Sequence, residues 1–240
     1  MVLEYDGSGY HGWQRQARGM TIQEAIETAI RQMTGERATL IGSGRTDAGV
    51  HALHQVANFR SQTYLSAGVL LRGLNSLLPG DIAVRELQEA DESFHAQFDA
   101  RSKVYEYRIF NNEVRSALMR NYVWFIHVPL DIGAMREAAE YLTGKHDFSC
   151  FCASGHESAS FVREVFRCGF ETDGQGMYVF SIEADGFLKY MVRNIIGTLV
   201  DVGKGKRPPA AVRQVMRAKD RRQAGVTAPA HGLYLKDVKY

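Results

Sequence analysis

A chain of 240 residues with a formal net charge of +2, 45% hydrophobic residues and three cysteines can build one large domain or two modest ones. The hydrophobic fraction excludes a disordered chain, and the small, odd cysteine count argues against a disulfide framework and suits a reducing cytoplasm. No apolar run approaches a membrane span. Charge is unevenly spread: between Gly186 and Arg222, ten Lys or Arg stand against Asp201 and Asp220, which marks either a solvated helical face or the footprint of a polyanion.

In chain order, residues 1–5 read as a strand already under way rather than a signal peptide. Tyr5-Asp6-Gly7-Ser8-Gly9 is a turn by composition. Tyr10-His11-Gly12-Trp13-Gln14-Arg15-Gln16 interleaves aromatic with cationic and amide groups. That pattern offers stacking surfaces beside phosphate contacts, but alone it is better read as a partly buried loop with two aromatic anchors. Residues 21–33 form a helix, with Thr21 and Glu24 as a capping box, Ile22, Ala25, Ile26, Ala29, Ile30 and Met33 on one face, and Gly35 as the stop. Residues 38–41 are a short strand and 50–59 a second.

Ser66 opens a second helix whose apolar face is Val69, Leu70, Leu74, Leu77 and Leu78, stopped by Pro79-Gly80. Residues 82–87 are a short strand, and 94–101 a bend. Residues 102–110 are a strong strand with Tyr105, Tyr107 and Ile109 on one face and Val104, Glu106, Arg108 and Phe110 on the other. Asn111-Asn112-Glu113 is the expected junction, dividing the chain into an N-terminal half, 1–112, and a C-terminal half, 113–240.

In the second half, residues 122–128 read as a strand, and Asp131 caps a helix running to Leu142 and closed by Gly144. Residues 161–172 and 177–184 are strands joined by Asp173-Gly174-Gln175-Gly176. Residues 187–202 are a long helix on which Lys189 and Arg193 share a face. Pro208-Pro209 opens a last helix, and 232–240 closes as a strand. The fold class is α/β of the α+β kind: two similar halves, each a largely antiparallel sheet with helices on one face.

The chemistry centres on Gly42-Ser43-Gly44-Arg45-Thr46-Asp47-Ala48-Gly49-Val50-His51, a glycine-rich loop between two strands. Glycine permits positive φ and close backbone approach, and loops held by a rigid sheet position reactive groups. A lone carboxylate there serves as nucleophile or general base, or only as an Asx-turn with Arg45 as its ion-pair partner. Two metal readings compete. Asp47 with His51 and His54 suffers from odd spacing, which turns the two histidines to opposite faces of a strand. His146, Cys150, Cys152 and His156 suffer from a Cys-x-Cys pair tighter than a usual zinc ligand gap. A polyanion surface is the third candidate: Arg15, Arg45, Arg101, Lys103, Arg193, Lys204, Lys206 and Arg207, with Trp13, Tyr105 and Phe187 as aromatic platforms.

Along nearly its whole length the chain resembles the TruA family of tRNA pseudouridine synthases. The likeness rests on Leu3-Glu4-Tyr5-Asp6-Gly7 with His11-Gly12-Trp13-Gln14, on Gly44-Arg45-Thr46-Asp47-Ala48-Gly49-Val50-His51, and on Asn75-x-Leu77-Leu78-Pro79-Gly80-Asp81-Ile82. It continues through Phe94-His95-Ala96, Tyr105-Glu106-Tyr107-Arg108, Asp147-Phe148-Ser149, Met191-Val192-Arg193-Asn194 and Thr227-Ala228-Pro229-Ala230-x-Gly232-Leu233-Tyr234. The resemblance implies isomerisation of uridine to pseudouridine in the tRNA anticodon stem-loop by a cytoplasmic homodimer, with no membrane, metal or cofactor involved. It implies a basic cleft between two α/β halves, and carries the nucleophile onto Asp47. It carries the basic loop partner onto Arg45, the aromatic that packs on the target base onto Tyr105, and an active-site arginine onto Arg193. The rival readings are a non-catalytic RNA-binding module and a metal-dependent hydrolase.

Overall fold

The computed structural model describes residues 1–153, 155 and 160–240. In chain order its elements are β1 (Val2–Tyr5), α1 (Ile22–Thr34), β2 (Ile41–Gly42), β3 (His51–Asn58), α2 (Ala67–Leu77), β4 (Ile82–Glu86), β5 (Ser102–Asn111), β6 (Trp124–Ile126), α3 (Ile132–Glu140), β7 (Gly144–Asp147), β8 (Val162–Thr172), β9 (Met177–Ala184), α4 (Met191–Gly203), α5 (Ala211–Ala218) and β10 (Leu233–Lys239). They divide into two compact units, Met1–Arg101 with Tyr234–Tyr240, and Ser102–Leu233. No helix among the described residues is long and apolar enough to cross a membrane.

In the first unit β1 lies between β3 and β4, antiparallel to both, and β2 pairs antiparallel with β3. The chain's last strand returns to this sheet, where β10 runs parallel to β3 with Tyr234 opposite His51. Helix α1 forms where its pattern predicts. Thr21 Oγ1 accepts the Glu24 N–H at 3.3 Å, and Gly35 stops the helix in the left-handed region at φ 77°. The strand expected over residues 38–41 shrinks to Ile41–Gly42 because α1 takes the backbone of Leu40: its N–H donates to Glu27 Oε1 and its carbonyl accepts from Gln23 Nε2. Helix α2 buries only Leu70 and Leu74, while Val69 and Leu77, expected on its apolar face, stay 38% and 44% exposed. It packs mainly against α1 and β4, and that contact covers a narrower stripe than the residue pattern offers.

In the second unit the strand order is β5-β9-β8-β7, all antiparallel, with β6 parallel to β5. The β8–β9 hairpin turns as its composition demands. Asp173 Oδ1 accepts from the Gln175 and Met177 N–H groups at 2.8 and 3.0 Å, and Gly174 and Gly176 take φ of 75° and 92°. On β8 Val165 and Phe170 are buried and Phe166 is exposed, and the pairing with β9 shifts register between Val165 and Arg167. On the covered face Arg136 of α3 donates to Phe170 O and Cys168 Sγ donates to Ala139 O. On β5 Tyr105, Tyr107 and Ile109 are buried as the alternation requires, but Val104 and Glu106 on the other face are buried too.

Two helix ends in this unit also differ from the sequence expectation. Helix α3 stops at Glu140, and Gly144, at φ 101°, opens edge strand β7 rather than closing a helix. Helix α4 starts at Met191, not 187, because Tyr190 sits in the left-handed region at φ 63° and breaks the run. Lys189 therefore precedes the helix and shares no helical face with Arg193.

Helix α4 lies so close to the 225–228 segment that a Cβ built on Gly197 would stand 1.7 Å from Val226 O. Backbone cannot yield as a side chain does, so Gly197→Ala is expected to destabilise by at least about 1–3 kcal/mol. A lower urea midpoint at unchanged slope would register it. Gly9→Ala, whose added Cβ meets nothing within 4 Å, is the control and should move the midpoint negligibly.

Candidate active site

The loop between β2 and β3 is fixed from its own strands first. Ser43 N–H donates to Val56 O at 2.8 Å, Ser43 Oγ donates to Gln55 Oε1 at 2.6 Å, and Gln55 Nε2 donates to Gly44 O at 2.8 Å. Ser43 and Gln55 are both fully buried, so these bonds are shielded from competing water. At the far end Val50 N–H donates to Asp47 O at 3.1 Å across Ala48-Gly49, with Gly49 at φ 79°. That is a turn with a positive φ at its third position, which glycine supplies at least steric cost.

The second support comes from residues 5–13. Tyr5 hydroxyl and Thr46 Oγ1 share a hydrogen bond of 2.8 Å, and Trp13 N–H donates to Thr46 O at 3.0 Å. Burial raises the Tyr5 hydroxyl pKa well above the tyrosine range, so it stays protonated. Backbone presses on backbone here. A Cβ on Gly12 (φ 88°) would lie 2.7 Å from Thr46 O, one on Gly7 2.0 Å from Val50 O, and one on Gly42 2.6 Å from the Trp13 ring. Trp13, 2% exposed, is therefore the loop's floor and not a stacking platform, which corrects its place in the polyanion set. Gln23, buried on the apolar face of α1, accepts from Gln14 Nε2 and the Arg15 N–H at 2.9 and 2.8 Å, which holds the end of the brace.

Thr46 points inward, Asp47 is half-buried and Arg45 is exposed. The expected Arg45–Asp47 ion pair is not formed: among the described residues Arg45 has no ion-pair partner. Thr46, pinned through both its hydroxyl and its carbonyl, lies between the two and leaves Arg45 turned to solvent. Tyr105 and Arg193 belong to the second unit. Tyr105 is 7% exposed, and its ring lies 5.0 Å from that of Phe187 with the planes at 82°. Arg193, half-buried at the first turn of α4, donates from Nε to Ala228 O at 2.8 Å, with its guanidinium carbon 4.8 Å from the Tyr190 ring centre. Arg15, expected on a polyanion surface, faces Glu24 and Glu27 at 3.5 Å each.

Comparison with known proteins bears on the chain as a whole. A family model described as tRNA pseudouridine synthase matches residues 1–99 and 138–240. A protein of Thermoanaerobacter sp. (strain X514) named tRNA pseudouridine synthase A is 48% identical over 240 residues, covering 100% of this chain and 98% of its own. Proteins of the same name from Caldicellulosiruptor bescii and Syntrophomonas wolfei subsp. wolfei are 45% and 46% identical over 240 residues, covering 100% of this chain and 98% and 96% of theirs. The chain belongs to the tRNA pseudouridine synthase family.

The chain is thus that of an isomerase, and the geometry gives the two metal readings no help. No group of three or more His, Cys, Asp or Glu is placed to hold a metal among the described residues. Nδ1 of buried His51 lies 3.1 Å from the Gly7 nitrogen and 3.0 Å from Asp6 Oδ1, and the ring stacks on Tyr234 at 4.7 Å. Of the proposed zinc quartet, His156 lies outside the described residues. Burial pushes the Cys150 thiol to about 12, away from the thiolate a metal or a nucleophile needs. Residues that the sequence reading missed here, Ser43, Gln55 and Gln23, share one signal: each is polar at a core position.

Gly12→Ala tests the brace. The added methyl must displace the Thr46–Asp47 backbone, and misplacing a reactive group by about 1 Å can cost on the order of 10²-fold in rate. We expect single-turnover pseudouridine formation to fall by at least tenfold while the circular dichroism spectrum is unchanged.

Proposed function

We propose that this enzyme isomerises uridine to pseudouridine in the anticodon stem-loop of tRNA, with Asp47 as nucleophile. The observation that carries the reading is the full-length likeness to proteins named tRNA pseudouridine synthase A. A carboxylate on a loop fixed on both sides supports it, since an attacking group must hold its geometry.

The chemistry suits a single carboxylate. The N1–C1′ bond of uridine breaks, the base turns, and a C5–C1′ bond forms. A proton leaves C5 and one is gained at N1. The product is an isomer of the substrate, so nothing is oxidised or reduced and no cofactor is called for. Asp47 lends an electron pair to the bound nucleotide and is released at the end. A base drawn out of a stem costs on the order of a few kcal/mol, and stacking on Tyr105 returns about 1–3 kcal/mol. The Phe187 ring, edge-on to Tyr105, fixes the attitude of that platform. Arg45, in solvent, is available to a phosphate or to the space left by the base, and Arg193 is the active-site arginine of the second unit. We place the reaction in the cytoplasm and in a homodimer.

The decisive assay incubates unmodified tRNA with the protein in the absence of added metal and scores pseudouridine. Product is expected from the wild type. Asp47→Ala should give none while its tRNA affinity stays within a few-fold; an active variant would remove Asp47 from the nucleophile role. No product from any form would favour an RNA-binding module, and product only with metal a metal-dependent enzyme.

The basic stretch after α4 makes a separate prediction. Lys206 and Arg207 lie 3.3 and 3.7 Å from Asp201 oxygens, so part of their charge is compensated within the chain. Replacing Lys204, Lys206 and Arg207 with Gln should shallow the slope of log affinity against log salt by about 1–2, less than three fully engaged cations would give. An unchanged slope would take this stretch off the RNA surface.

A further inference from the structure

Asn194 is a polar side chain inside an apolar helix. It is 0% exposed and every polar atom of its carboxamide is used. Nδ2 donates to Phe151 O at 2.7 Å, and Oδ1 accepts from Thr227 Oγ1 at 2.7 Å and from Arg221 Nη2 at 2.9 Å. Arg221 also reaches Thr227 Oγ1 at 3.0 Å and Gly225 O at 2.9 Å. One helical turn on, Thr198 Oγ1 donates to Asn194 O and accepts the Gly225 N–H, both at 2.8 Å. The segment 225–229 is thus strapped to side chains of α4 that lie 27 and 33 positions away along the chain. Its far end is pinned as well, since Tyr107 hydroxyl donates to Pro229 O at 2.8 Å.

The strap ends on Arg193. Ala228 N–H donates to Arg193 O at 3.1 Å, and Arg193 Nε donates back to Ala228 O at 2.8 Å. A guanidinium is planar, so one Nε bond and one ring face determine the plane and direction of its remaining N–H groups. The ring face is Tyr190, held beneath the guanidinium by its left-handed backbone. The Ala228 carbonyl is where it is because Thr227 is tied to Asn194 and Arg221. Neither Thr227 nor Arg221 bonds Arg193 itself, so any influence on it passes through the strap.

We propose that Thr227 and Arg221, acting through the buried carboxamide of Asn194, are positioning residues that aim the Arg193 guanidinium. This rests on Arg193 acting in the reaction, as proposed above, and adds to it the part of the chain that sets its geometry. The job of the network is to keep one hydrogen-bond acceptor in place beside one cation.

The test uses the full chain and unmodified tRNA in single turnover, with affinity measured separately. Thr227→Val keeps the shape and removes the hydroxyl. It should lower the rate about tenfold with tRNA affinity within twofold. Arg221→Lys, which keeps the charge but cannot bridge Asn194, Thr227 and Gly225, should do the same. Thr227→Ser restores the hydroxyl and should return the rate to within twofold of wild type. In an Arg193→Ala background Thr227→Val should cost less than a further twofold, because an aiming device has nothing left to aim. As a readout independent of activity, solvent exchange of the Arg193 Nε–H, followed by NMR, should be at least tenfold faster in Thr227→Val than in the wild type or in Thr227→Ser. Equal losses in both backgrounds would mean a structural role and overturn the proposal. So would wild-type rates or unchanged Nε–H exchange in Thr227→Val while Arg193→Ala is impaired, and in that case the role of Arg193 would stand. Arg193→Ala turning over at the wild-type rate would remove both.

Discussion

The contact on which the loop around Asp47 depends is bare backbone against bare backbone. At Gly12 the chain crosses the loop so closely that a methyl group would sit 2.7 Å from Thr46 O, and the neighbouring Trp13 N–H donates to that same oxygen at 3.0 Å. A side chain could hydrogen-bond there, but it would bring its own rotamers. An amide on a crossing segment brings only the two soft dihedrals of its residue. The glycines at 7, 12 and 42 each cost about 0.5–1 kcal/mol of backbone entropy relative to alanine. Burying the Trp13 ring over Gly42 offsets that cost, since a buried aromatic withdraws on the order of 150–250 Å² from water. The same apolar mass therefore glues the first unit together and sets the height of the loop.

The second unit reaches the same end with other parts. Its cation sits on the first turn of a helix, where the backbone is regular and cannot be trimmed to fit. Positional control passes to side chains instead, through a buried carboxamide with all its bonds made and a strap laid against two facing glycines, 197 and 225. A fully satisfied polar network in a low-dielectric interior is stiff, and a half-satisfied one would cost more than an apolar core. Glycine is used alike in both units, for close approach of chain to chain.

What the sequence made legible follows the range of the interactions. Thr21, Gly35, Asp131 and the Asp173–Gly176 turn make their bonds within a few residues, and each was readable where it stands. That residues 43–50 form a loop between two strands was readable from its glycines. The failures depend on distant partners. Strand β7, Gly144-Lys145-His146-Asp147, has no β-pattern of its own and exists because β8 runs beside it. Tyr190 ends the helical run by a left-handed turn that no local pattern announces. Trp13 reads as a buried anchor on its own and as an RNA platform only in company with the basic residues, and Gly42, far along the chain, decides for the anchor. Asn194 gave one usable sign, a carboxamide at a core position, but Thr227, Arg221 and Phe151 could not be guessed from it.

An isomerisation asks for both rigidity and freedom. On the proposed reading the base leaves its sugar, turns and is taken back, so the groups that meet it first must still be in place when it returns. A carboxylate carried on a loose loop would wander during that interval, and the advantage of a fixed near-attack geometry, which can reach about 7–11 kcal/mol, would be lost at the second step. The base itself must not be fixed as firmly, because hydrogen bonds to its edge would oppose the turn. An aromatic ring suits that need, since stacking depends on the overlap of faces and only weakly on rotation within the plane. On that reading, a bonded Thr46–Asp47 backbone and a Tyr105 ring that presents a face to the base divide the work between a stationary nucleophile and a moving base.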